Sequence, residues 1–189
     1  MRRFPALAAT AAAAVLLAHP SSAATKRFVI TDPTGDANGV NGQGFGAPVP
    51  STSTPVDVKG ADITSITVVN RFKGLKPRGF DVTLKLAAPL QQGVLITLTM
   101  NTSVPCGDTS TIQLGAGTSS LATCQTTKTG TSDSVGDTEM SADRTSVTWS
   151  IDDLFPAGTK ITNFDATTSV FVLGVFDEAT SDKTFVYGK

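Results

Sequence analysis

Histidine is almost absent from this chain. The only one, His19, lies in a leading segment with the marks of a cleaved export signal. Met1-Arg2-Arg3 supplies a positive start and Ala6 to Ala18 an apolar run. Ser21-Ser22-Ala23 and Ser22-Ala23-Ala24 both place small residues where a signal peptidase reads them. Removal of residues 1–24 leaves one expected domain, 25–189, secreted and without an imidazole. The commonest general base and the commonest metal ligand are then missing.

Other scarcities narrow the function further. No S-x-x-K motif is present to give a serine nucleophile a lysine base, and the two glutamates, Glu139 and Glu178, fall in expected loops. The protein is therefore expected not to be an enzyme. With Arg2 and Arg3 gone, 13 basic residues face 16 acidic ones, a net charge of −3 with no basic field for a nucleic acid. No apolar run beyond the leader approaches the ~20 residues of a membrane span, so no transmembrane anchor is expected. One Trp and one Tyr are few for the stacking platforms of a sugar site. Trp149 is in phase with Val147 and Ile151, which predicts a core position. Tyr187 could face either way, and Phe45 and Phe72 lie in or beside loops.

What is present points to strands. Asp outnumbers Glu 14 to 2, and Asp favours turns and hard cations whereas Glu favours helices. Thr, Val and Ser are abundant, and no long segment carries a helical period. Phe80, Val82, Leu84 and Leu86 alternate with Asp81, Thr83 and Lys85, and Val94, Ile96, Leu98 and Met100 repeat the pattern. These two strands are expected to pair antiparallel, each with one face in the core. Further strands are read at Lys26–Thr31, Asp62–Arg71, Val147–Ile151, Lys160–Ala166 and Lys183–Tyr187. Ser169–Phe176, apolar on both faces, reads as a central strand. Thr126–Asp143 reads as a loop, and Asp152–Pro156 as one helical turn capped by Asp. About nine strands imply an all-β antiparallel sandwich, immunoglobulin-like or jelly-roll in type.

Two cysteines in an oxidising compartment predict one disulfide, Cys106–Cys124. Their midpoint falls at Gly115, inside a Gly-Ala-Gly-Thr turn, so the bridge is expected at the base of a hairpin. Closing such a loop is worth about 3 kcal/mol in the chain-entropy model.

The densest motif is Asp32-Pro33-Thr34-Gly35-Asp36-Ala37-Asn38-Gly39, directly after the first strand. Asp32, Asp36 and Asn38 bring three oxygen-bearing side chains into one glycine-containing turn, a start toward the six to eight oxygens of Ca2+. A distant ligand is needed as well, and Asp62 and Asp57 are candidates. The same residues also suit a plain turn in which Asp and Asn bond their own backbone. A second cluster, Arg71, Lys73, Lys76 and Arg78, reads either as a binder of anionic polymers or as a solvated hairpin tip. Charge runs are usually surface, which favours the tip.

The Asp-Pro-x-Gly-Asp-x-x-Gly opening, followed by Ala61-Asp62-Ile63-Thr64-Ser65-Ile66-Thr67-Val68 and Phe80-Asp81-Val82-Thr83-Leu84, resembles a group of secreted bacterial β-sandwiches. They include the glucodextranase C-terminal domain, family-9 carbohydrate-binding and DOMON-like domains, and actinobacterial exported proteins. The ending, Phe176-Asp177-Glu178-Ala179-Thr180-Ser181-Asp182, is similar too. The resemblance implies a sandwich with a structural calcium ion on Asp32, Asp36 and Asp62. Where glucodextranase-type domains carry a tyrosine-containing stretch, this chain has Phe45 to Pro55 instead. The expected function is a non-catalytic binding module for a cell-wall or extracellular polysaccharide or a protein. The alternatives are an envelope structural or protein-interaction protein with no small ligand and, last, a hydrolase using converging Asp side chains.

Overall fold

Period-two alternation governs the strands of this chain. A computed structural model describes residues 27–37, 59–106, 108–117, 120–124, 134–170 and 174–189. Its strands are β1 (Arg27–Thr31), β2 (Ile63–Lys73), β3 (Lys76–Leu86), β4 (Leu95–Cys106), β5 (Thr109–Ala116), β6 (Leu121–Cys124), β7 (Gly136–Met140), β8 (Ser146–Ile151), β9 (Lys160–Val170), β10 (Gly174–Ser181) and β11 (Phe185–Val186). A 3-10 turn, Lys59–Ala61, leads into β2. Among the described residues no helix is long and apolar enough to cross a membrane.

Two antiparallel sheets make a sandwich. The first runs β1-β2-β3-β8-β7; the second runs β10-β9-β4-β5-β6, with β11 added on β9. The inward faces are those the alternation marks: Ile66, Val68, Val82, Leu84 and Val147 from one sheet, Ile96, Leu98, Met100, Ile112 and Leu114 from the other. Trp149 is fully buried between them, and its indole N–H donates to the Gly115 carbonyl of the opposite sheet at 3.1 Å. Tyr187 is buried too. Its hydroxyl accepts from the Gly79 amide at 3.0 Å and donates to Asp153. Burial and the adjacent Asp153 carboxylate hold its pKa above the usual tyrosine value.

Several expectations are corrected. The two most regular strands, β3 and β4, do not pair: β3 lies between β2 and β8, while β4 lies between β5 and β9 in the other sheet. Alternation marks an inward face but not the neighbour along the sheet. Asp152–Pro156 forms no helical turn; Asp152 and Asp153 reach Arg71 and Arg78 instead, each at 4.0 Å. Part of the expected 126–143 loop is strand β7, an edge whose polar residues left no apolar alternation to read. Ser169–Phe176 is divided between β9 and β10, with Gly174 opposite Val170, and β10 is an edge rather than a central strand. The described residues form eleven strands, against the expected nine or so.

The disulfide forms between Cys106 and Cys124, with Cα atoms 5.4 Å apart, but not at a hairpin base. Cys124 stands opposite Ile112, and Cys106 opposite Thr109. The chain turns back directly after Cys106, so the bridge joins β4 to β6 across the start of β5.

Candidate functional site

The Asp32–Gly35 turn leaves β1 at the end of the sandwich where β2 begins. Its order, Asp then Pro then Thr then Gly, is the signature of a type I turn. Gly35 has φ +89°, a left-handed value that an L side chain adopts only under strain. Two bonds hold the turn against β2: the Asp32 amide donates to Thr64 O at 3.1 Å, and the Gly35 amide to Asp62 Oδ2 at 2.7 Å. Ala37, fully buried, anchors the chain beyond.

This arrangement brings oxygens of Asp32, Asp36 and Asp177 within 4.8 Å of one another. Asp177 comes from β10, 145 positions after Asp32 and in the other sheet. A register shift between Val175 and Asp177 sets it there. Such an irregularity re-aims a side chain, and here two consecutive residues, Phe176 and Asp177, are both buried, which strict alternation forbids. The Asp177 carboxylate then ties the sheets together. It accepts from the Ile63 amide at 2.6 Å and from the Glu178 amide at 2.9 Å. Thr168, opposite Asp177 on β9, adds a second tie by donating to Ala61 O at 2.6 Å.

Asp62 is 1 % exposed. One of its oxygens holds Gly35, and the other, Oδ1, is buried with no hydrogen-bond partner; Asp32 Oδ2 is in the same condition. A buried carboxylate oxygen without a partner costs the desolvation of a charged group. The electrostatics agree. Burial, and then the charges of Asp177, Asp36 and Asp62, raise the Asp32 pKa from 3.8 to about 6. Asp177 is raised as well: burial leads, the Ile63 and Glu178 amides oppose it, and Asp36 and Asp62 add to it. The charges of Asp36 and Asp62 thus act against the ionised forms of both Asp32 and Asp177.

Of the expected ligands, Asp32 and Asp36 meet in the triad. Asp62 stands beside it, bonded to its turn and acting on Asp32 and Asp177 by charge. Asn38 and Asp57 lie outside the described residues. Asp177 was missed by sequence reasoning; the signal available was a carboxylate directly after an apolar run that ends in Phe176. Asp81, a charge on a polar sheet face, is explained locally: it accepts from Ser150 Oγ at 2.9 Å and lies 3.2 Å from Arg71 Nε.

Neither Trp149 nor Tyr187 presents a ring to solvent. Two surface depressions, of about 430 and 320 Å³, are lined by residues including Asn163, Asp165 and Asp182, and Arg27, Phe28 and Lys189 respectively; the four carboxylates belong to neither lining. Comparison with protein-family models, curated proteins and solved structures gave no match.

Proposed function

We propose that the protein is a secreted, non-catalytic β-sandwich binding module locked by a structural calcium ion. Asp32, Asp36 and Asp177 are the ligands, and Asp62 Oδ1 is the fourth carboxylate oxygen offered. The observation that carries this reading is the convergence of three carboxylates from two sheets beside a buried carboxylate oxygen that has no other partner. A hard dication suits an all-oxygen donor set, and backbone carbonyls and water complete such a shell. Bound there, the ion would remove the mutual repulsion and clamp the N-terminal turn, β2 and β10 into one unit. The resemblance of the Asp-Pro-x-Gly-Asp opening to calcium-binding sandwiches supports the same assignment. The buried Trp149 and Tyr187 favour a polymer or protein surface over stacked sugar rings as the partner.

The test is thermal unfolding in calcium and in chelator. A ligand at 100 times its Kd stabilises the native state by about 2.7 kcal/mol, which for a domain of this size is a rise in Tm of roughly 5–10 °C. Asp177→Asn should abolish the rise. A folded wild-type protein whose Tm ignores calcium would sink the assignment.

A further inference from the structure

The opposite end of β2 carries a feature that folding does not explain. β2 and β3 are joined by Gly74-Leu75, with Lys73 directly opposite Lys76. Gly74 has φ +65°, and Leu75 is not in the left-handed region. A two-residue turn of this kind demands glycine at its first central position and leaves the second free. Leucine occupies that second position and is 99 % exposed. Phe72, 41 % exposed, follows the inward phase of Ile66, Val68 and Asn70 but stands beyond the end of the core. Asn70 closes that end: its side chain bonds the carbonyls of Val186 and Lys189 and the amide of Gly188. Leu154, half exposed, belongs to the segment whose Asp152 and Asp153 reach Arg71 and Arg78.

The charge carried by the tip itself is of one sign, with the acids Asp81, Asp152 and Asp153 set at its base. Residues 72–78 contain no acid. Arg71 and Arg78 are engaged by aspartates, whereas Lys73 and Lys76 make no ion pair among the described residues. Like charges directly opposite on paired strands are destabilising, and an anionic partner would relieve them. A solubilising tip would account for the lysines but not for an exposed Leu and Phe between them. A soluble polyanion would likewise use only the cations. Apolar side chains that enter the headgroup–acyl boundary, ringed by lysines that meet anionic headgroups, fit a lipid surface.

We propose that the β2–β3 hairpin tip docks this protein on an anionic lipid membrane, with Leu75 and Phe72 inserted and Lys73 and Lys76 on the headgroups. This gives the binding module a partner, and it is independent of calcium at the other end.

The experiment is co-sedimentation of the processed, exported protein with vesicles of equal phosphatidylglycerol and phosphatidylcholine, or of phosphatidylcholine alone. Binding to the anionic vesicles is expected, with affinity at least about tenfold lower on the neutral ones. Leu75→Asp and the double variant Lys73→Gln/Lys76→Gln should each weaken it about tenfold or more without lowering Tm. Binding should persist in chelator and in Asp177→Asn. No sedimentation with anionic vesicles overturns the proposal, as does undiminished binding by Leu75→Asp. Equal binding to lipid-free polyglutamate, sensitive to the lysines but not to Leu75, replaces the membrane with an anionic polymer. Binding that requires calcium and Asp177 moves the contact to the other end and overturns it too.

Discussion

The two ends of strand β2, about 30 Å apart by strand rise, treat charge in opposite ways. At the Ile63 end, negative groups from the turn after β1, the residue before β2 and strand β10 are gathered together, and two of them, Asp62 and Asp177, are buried. At the Lys73 end, positive groups contiguous in sequence are held outward on a two-residue turn, beside a leucine that touches almost nothing. The first arrangement spends stability unless a cation is added. The second costs the fold little and offers a surface. The difference teaches that clustered charge is a structural matter when it is buried and dispersed in sequence, and an interaction matter when it is exposed and local.

The largest expected break in this comparison comes from Asp32→Asn. In chelator the substitution removes a charge that burial and three neighbouring aspartates oppose. It should stabilise the protein by roughly 1 kcal/mol after solvent screening is allowed for. In saturating calcium it should destabilise instead, because a ligand is lost. A single variant whose effect on Tm changes sign with calcium would separate a metal site from a merely crowded acidic turn; the same sign in both conditions would count against the site.

The pH dependence sharpens the same end. Asp32 titrates at about 6 in the folded chain against 3.8 ordinarily, and Asp177 is displaced in the same direction. The folded state therefore holds these protons more tightly than the unfolded one. Their contribution to stability is fully present below 3.8 and is lost as pH rises through about 6. Unfolding of the metal-free protein by denaturant should show this loss between those values. Calcium should flatten it, since the ion takes the place of the protons.

Smaller effects belong to the hairpin. Lys76→Glu converts a repulsive cross-strand pair with Lys73 into an attractive one and should raise stability by about 0.2–1 kcal/mol. Leu75→Ser should leave Tm unchanged, within about 0.5 kcal/mol, because the side chain is exposed. A clear loss of stability in Leu75→Ser would mean that the leucine packs against something in solution and would weaken the contrast between the two ends.

Legibility in the sequence followed the same division. The basic tip could be read as a hairpin because Arg71, Lys73, Lys76 and Arg78 fall within eight residues between two alternating strands. Exposure of Leu75 could not, since whether a leucine is covered depends on what the rest of the chain brings near it. Two members of the acidic triad were legible, because Asp32 and Asp36 share one turn with Gly35. Asp177 was not, because its inward direction depends on a register shift in an edge strand. In the same way Cys106 and Cys124 announced a disulfide, while its place across β5 followed from a pairing register that symmetric spacing misjudges.

By itself the sequence determined the all-β character, the inward faces of β2, β3, β4 and β8, the buried Trp149 and the covalent link. Each depends on residue type and a period of two, which act over a few neighbouring positions. Only the tertiary structure decided that β3 and β4 belong to different sheets, that β10 is an edge, and that Asp177 faces Asp32. Those outcomes depend on which strand edges meet and in what register, and the backbone hydrogen bonds that pair them are common to every residue type but proline. The side chains chose the faces, and the packing of the two sheets chose the partners.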